Sequence, residues 1–210
     1  MITLFDCATA PSPRRARILL AEKGIAHETV EIDLRAAEQL SDAYRAINPR
    51  LTVPALRLDD GTVLTDNAGI AAWAEAHKPE PPLLGRTPVE KAEVASWNAR
   101  VEGEGFMAIA EAFRNSTPAM KDRALPGPNN YAQIPELAER GVARLSAFVD
   151  MLDAHLATNA HVAGDHFSLA DITALVAIDF ARIVRMKPAE THANIGRWRT
   201  QLSQRPACRL

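Results

Sequence analysis

Three short segments of this chain carry residue types whose order bears on chemistry. The first is Asn48-Pro49-Arg50-Leu51-Thr52-Val53-Pro54-Ala55-Leu56. A proline entering a strand removes a ladder hydrogen bond, so it needs an edge, a strand start or a special peptide bond. If Val53–Pro54 is cis, the N–H and carbonyl of Val53 turn outward and can meet another extended chain as an added strand. An ordinary trans proline at a strand start is the alternative. The second segment, Asp66-Asn67, heads a helical stretch, where either side chain can serve as an N-cap. The third, Ser168-Leu169-Ala170-Asp171, has the spacing of a capping box, with Phe167 and Ile172 at the staple positions. Ser168 and Asp171 are therefore assigned to folding and not to catalysis.

The elements that must hold these residues follow from periodicity. Ile2 to Phe5 is a brief β-type run, and a helix beginning at Pro13 closes at Gly24. His27 to Ile32 alternates as a half-buried strand. Ser41 to Ile47 allows one or two helical turns, stopped by Asn48-Pro49. Pro54 to Leu58 and Thr62 to Leu64 flank Asp59-Asp60-Gly61, a hairpin signal. A third helix runs from Asp66 to about His77. The order βαβαββα describes a mixed sheet whose last two strands are antiparallel.

HKPEPPLLGRTP follows, too rich in proline for either period, and reads as an inter-domain linker. Only helical signals lie beyond it. Val89 to about Phe113 is one long helix in which Gly103 and Gly105 mark a kink or close packing, each weakening it by ~1 kcal/mol relative to Ala. Pro118 to Pro128 is a loop. Ile134, Leu137, Leu145, Phe148, Leu152 and Leu156 form one apolar stripe. Ser168 to Val184 is apolar nearly all round and belongs at a bundle centre. A last helix runs from about Asn194 to Gln204.

A formal net charge of −2 over 210 residues offers no electrostatic case for nucleic acid or an anionic membrane. Cys7 and Cys208 lie at opposite ends and form neither a CxxC pair nor a metal-ligand cluster, as expected in a reducing compartment. The opening MITLFDCATAPSP is unlike a secretory signal, and the longest apolar stretch is broken by Asp171, Asp179 and Arg182. A cytosolic protein with no metal is expected.

NPRLTVPAL, the DDG turn and LTDNAGIAAWAE resemble the pattern of the cytosolic glutathione transferases. SPRRARILLAEKGI, PPLLG and VAGDHFSLADITA extend the resemblance over essentially the whole chain, closest to a bacterial and fungal subgroup whose first helix reads APxPRRxRIxLAEKGI. The resemblance implies an α/β plus all-α fold. A thioredoxin-like glutathione-binding domain would span residues 1–79, a linker 80–86, and an all-helical domain with a hydrophobic electrophile site 87–210.

It further implies that Val53, beside Pro54, holds the cysteinyl part of glutathione. Asp66 and Asn67, standing where the family usually has Glu or Gln and then Ser, would hold its γ-glutamyl end. There a helix N-terminus favours the carboxylate while Asp66 pairs with the ammonium. Gln39 would lie near the glycyl carboxylate, or be a solvated loop residue. Arg14 would assist anion binding at the start of the first helix.

The family activates the glutathione thiol with a Tyr, Ser or Cys just after the first strand. No Tyr is present there, and Ser12 is out of register with the usual serine, so it is either the catalytic donor or a helix cap. Cys7 offers a second route, a thiol-disulfide reductase working through mixed disulfides, although its distance from the helix start argues against a lowered pKa. The Ser-Ser-Cys loop of the family's isomerase branch is missing. Phe106, Ile109 and Phe113 would line the electrophile site or belong to the bundle core. Arg114, Asn115, Ser116 and Thr117 either face that site or simply end a helix. A homodimer is implied, glutathione serves as co-substrate with no further cofactor, and a non-catalytic binding or assembly module is the rival reading.

Overall fold

The structure is a computed structural model that describes residues 1–210. It divides into two compact units. The first comprises Met1–Pro81 with Pro126–Asn129 and Leu210; the second comprises Pro82–Leu125 and Asn130–Arg209.

In the first unit, β1 (Thr3–Asp6), α1 (Pro11–Glu22), β2 (Glu28–Glu31), a short α2 (Asp42–Arg45), β3 (Ala55–Arg57), β4 (Val63–Leu64) and α3 (Asn67–His77) follow in order. This is the thioredoxin-like succession expected from the sequence. The sheet runs β2-β1-β3-β4, with β1 and β2 parallel and the other neighbours antiparallel. Phe5, Ile32, Tyr44 and Ala55 pack together at the α2 side, with Val53 and Val63 against them. Side chains alternate across a strand, so Leu4 and Leu56 lie on the other face. They are fully buried, as are Ile18 and Leu20 of α1 and Ile70 of α3.

β2 differs from expectation. All four of its residues are exposed, and only Ile32 beyond its end is buried. It is an edge strand paired to β1 alone, and its Glu-Thr-Val-Glu sequence suits that place. The first helix also begins two residues earlier than expected, at Pro11.

The second unit is helical: α4 (Pro88–Arg100), α5 (Met107–Ser116), α6 (Pro135–Leu156), α7 (Leu169–Phe180), a short α8 (Pro188–Thr191) and α9 (Ala193–Leu202). The long helix expected from Val89 to Phe113 is α4 and α5 joined through six residues of π-helix, Val101–Phe106. Both glycines sit in that segment. A Cβ on Gly105 would come within 3.0 Å of the Phe148 ring, and one on Gly141 within 2.5 Å of the Ala112 nitrogen, so α5 and α6 approach as only glycine permits.

α7 occupies the centre of this unit, with Leu169 through Ile178 all buried. Its capping box is formed by Ser168 and Asp171. The Asp171 carboxylate also accepts from the Val162 N–H and the Trp198 indole, each at 3.0 Å. That satisfies a carboxylate with no exposure and makes it a junction of three segments. No helix is long and apolar enough to cross a membrane.

Candidate active site

Strand register gathers the candidate residues of the first unit. Phe5 of β1 pairs with Ala55 of β3, and Leu64 of β4 pairs with Leu56. The loop after β1, the Val53–Pro54 entry to β3 and the start of α3 therefore emerge from the same end of the sheet. Glu31, at the end of β2, reaches that end too: its carboxylate accepts from the Ala8 N–H at 2.8 Å.

Val53–Pro54 is cis. None of the backbone hydrogen bonds outside helices and strands involves Val53. The carbonyl just before it is held twice, by the Tyr44 hydroxyl at 2.8 Å and the Asn48 amide at 2.7 Å. The Asn48 amide oxygen in turn accepts from the Arg50 N–H at 2.9 Å, and Leu51 takes a left-handed φ of 56°. Burial pushes the Tyr44 phenol up to about 12, with the Asn48 hydrogen bond acting in the opposite sense. Tyr44 and Asn48 are supports that the sequence reading did not assign; a buried Tyr one turn before Asn-Pro was the available signal.

Asp66 is the N-cap of α3, its side chain accepting from the Gly69 N–H at 2.8 Å. The Ile70 N–H goes to the Asp66 carbonyl. That leaves the N–H groups of Asn67 and Ala68 at the positive end of an eleven-residue helix. Asp66 is exposed and Asn67 half-buried. Gln39 lies in a single 3-10 turn, Glu38–Leu40, with its side-chain oxygen shielded from solvent and unpaired.

Ser12 is corrected in one respect: it is no cap. Ala10 occupies the N-cap position of α1 without a side-chain bond, and Ser12 is the second residue of the helix. Pro11 and Pro13 have no N–H, so among the first three helical positions only Ser12 offers one, together with its hydroxyl. The Arg14 N–H is turned to the Ala10 carbonyl at 3.4 Å. The Arg14 Nε donates to the Leu210 main-chain oxygen at 2.7 Å.

Arg17, one turn further on, organises the loop. Its guanidinium pairs with Asp6 at 2.5 Å and donates to the carbonyls of Cys7 and Ala8. Cys7 is 5% exposed, with its sulfur 3.6 Å from the Thr9 hydroxyl.

In the helical unit, Ile109 has no exposed surface and is core, so it lines no site. Phe106 and Phe113 are half-buried, and Phe113 meets Phe180 edge to face at 6.5 Å. Asn115 and Ser116 finish a helix: Asn115 donates to the Glu111 carbonyl at 3.0 Å and accepts from the Ile134 N–H, and Ser116 donates to Ala112. Arg114 has no such role. No group of three or more His, Cys, Asp or Glu is placed to hold a metal ion.

A family described as "Glutathione S-transferase, N-terminal domain" matches residues 9–77, and "Glutathione S-transferase, C-terminal domain" matches residues 113–206. Glutathione S-transferase 2 of Saccharomyces cerevisiae is 32% identical over 207 residues, covering 97% of this chain and 86% of the relative. A glutathione S-transferase domain-containing protein of Marinobacter aquaeolei superposes with a TM-score of 0.88 at 30% identity, over 98% of this chain and 99% of that one. Gtt2 of Saccharomyces cerevisiae gives a TM-score of 0.88 at 31% identity, over 99% and 98% of the two chains.

Proposed function

Because the chain belongs to the glutathione S-transferase family, we propose that it ionises bound glutathione and directs the sulfur to a soft, hydrophobic electrophile. The observation that carries this reading is the convergence, at one end of the sheet, of a Val53 backbone whose preceding carbonyl is held twice, the α3 N-terminus and the Ser12 donors. Val53 would pair with the cysteinyl backbone. Asp66, Asn67 and the α3 N-terminus would take the γ-glutamyl end, and Gln39 would lie near the glycyl carboxylate.

A free thiol of pKa ~8.5 is only a few per cent thiolate at pH 7, and lowering it by ~2 units requires ~2.7 kcal/mol of differential stabilisation. The positive end of α1 supplies up to ~2 kcal/mol, and the Ser12 N–H adds a direct donor. The thiol proton passes to solvent, the sulfur lone pair forms a carbon–sulfur bond, and the leaving group departs from the electrophile with its electron pair. Glutathione is the co-substrate and no further cofactor takes part.

The buried sulfur of Cys7 weighs against a disulfide reductase working through that residue. The family's usual setting completes the proposal: a cytoplasmic homodimer acting in detoxification. Sedimentation at micromolar concentration tests the dimer. Turnover of 1-chloro-2,4-dinitrobenzene with glutathione, together with thiolate absorbance of the bound tripeptide near neutral pH, tests the reaction. Glutathione bound as the thiol and no turnover on a panel of small electrophiles would favour a binding module.

A further inference from the structure

The end of α5 holds a cation without a counter-ion. Arg114 is half-buried, and its Nε is shielded from solvent and meets no acceptor. The acid one turn earlier, Glu111, is committed elsewhere: its two oxygens pair with Arg140 and Arg144, each at 2.9 Å. Burial lowers the guanidinium pKa from its ordinary value, and the charge that bears on Arg114, the like charge of Arg123, acts in the same sense. Burying one guanidinium near another is unfavourable unless an anion joins them.

Both cations are held in place. The Gln133 amide donates to the carbonyls of Arg114 and Thr117 at 2.7 and 2.8 Å, closing the end of α5. Asn115 accepts from the Ile134 N–H at 2.9 Å. The segment bearing Arg123 is paired back through Tyr131, whose N–H reaches the Asp122 carbonyl at 3.0 Å and whose carbonyl accepts from Ala124 at 3.1 Å. Arg123 itself donates to the Asn130 amide oxygen at 3.2 Å.

The surface beside Arg114 is apolar. Phe106, Ala110, Phe113 and Thr117 recur at i, i+4, i+7 and i+11, one face of a helix. All four are half-buried, while Ala108, Ile109, Ala112 and Asn115 on the other face are buried. From Phe106 to Arg114 this strip is about 12 Å long, the length of a one- or two-ring molecule with an acid group at one end.

We propose that Arg114, with Arg123 beside it, recognises the carboxylate of an acid-bearing, otherwise apolar co-substrate lying along Phe106, Ala110 and Phe113. This rests on the transferase reading and names the class of electrophile that reading leaves open.

The test compares 4-chloro-3,5-dinitrobenzoate with its methyl ester, the same electrophile with and without the charge, in wild type, Arg114→Met and Arg123→Gln. Arg114→Met should lower kcat/KM for the acid by about 10- to 100-fold, the loss of a charge-assisted hydrogen bond, and for the ester by less than about threefold. Arg123→Gln should give a smaller loss in the same direction, and it decides the matter if Arg114→Met does not fold. Equal losses on acid and ester, or no loss on either, would overturn the proposal. If wild type turns over neither compound, the transferase reading is judged separately by the electrophile panel. Calorimetry with unreactive 3,5-dinitrobenzoate then judges the anion site: binding that wild type shows and Arg114→Met loses supports it, and absent or unchanged binding overturns it.

Discussion

Lys23 and Glu75 join the ends of α1 and α3 by an ion pair of 2.5 Å in which the lysine side chain has no exposed surface and the glutamate 17%. The same ammonium donates to the Pro79 and Pro81 carbonyls. All of its charge is thus spent on fixing the chain where it leaves the first unit's last helix. Replacing Lys23 by Met removes the buried cation that pairs with Glu75 and donates to two carbonyls, which should cost about 2–4 kcal/mol. Urea unfolding followed by tryptophan fluorescence is the measurement; an unchanged midpoint would mean that the pair contributes no net stability.

Tyr44 holds the Thr52 carbonyl from inside the core, and its raised pKa has a stability consequence. The unfolded phenol ionises near pH 10, the folded one at about 12. Below pH 10 both states are protonated and the contribution is whole; between pH 10 and about 12 the unfolded state alone loses its proton, and stability falls by up to about 3 kcal/mol. Tyr44→Phe should be less stable at neutral pH by about 1 kcal/mol and should lack this alkaline decline. Unfolding of both proteins at pH 8 and pH 11 checks it through their difference, which also removes the titration of the lysines.

The capping role of Asp66 and its proposed part in holding glutathione can be separated by substitution. Asp66→Ala and Asn67→Ala should each weaken glutathione binding by roughly 1–3 kcal/mol, the cost of an unpaired polar partner. Asp66→Ser keeps a hydroxyl able to cap Gly69 and removes the charge. It should retain the stability of α3 and still bind glutathione poorly. Calorimetry on the three variants decides: unchanged affinity in all of them would leave Asp66 a cap and nothing more, and Asn67 without a part in binding.

Local signals were legible in the sequence, and long-range commitments were not. The capping box of Ser168 and Asp171 depends on four consecutive residues, and the hairpin around Gly61 on a turn whose chemistry is equally local, so both could be read directly. The partners of Arg14 and Lys23 lie 196 and 56 residues away, at Leu210 and Pro79, and no periodicity predicts them. Ile109 and Phe113 carry the same apolar label in sequence; only tertiary packing, of which α6 supplies most for α5, sends the first to the core and leaves the second half-buried. The edge position of β2 was hidden for a similar reason, since alternation in a four-residue strand does not say how many neighbours it has. Arg114 looked like a helix end because its neighbours Asn115 and Ser116 are one. What distinguishes it is Glu111 turning to Arg140 and Arg144, a fact of tertiary structure.

Ser12 carries two donors, its N–H and its hydroxyl, and the prolines on either side make their proposed roles toward the thiolate separable. Ser12→Ala removes the hydroxyl and leaves the N–H and the helix dipole intact, so it should raise the pKa of bound glutathione by less than about one unit and slow turnover by less than about tenfold. Ser12→Pro removes the N–H as well, at the start of a helix where proline costs little because that N–H has no intrahelical acceptor. If the N–H is the main donor, the proline variant should lose about 10²–10³ in rate relative to the alanine variant, as for a single oxyanion donor. The thiolate absorbance of bound glutathione, titrated in both variants and in wild type, reports the pKa directly, and an unchanged unfolding midpoint shows that α1 still forms. A rise of two units or more already in Ser12→Ala would assign the activation to the hydroxyl. Equal values in the two variants, both near wild type, would move it away from Ser12 altogether.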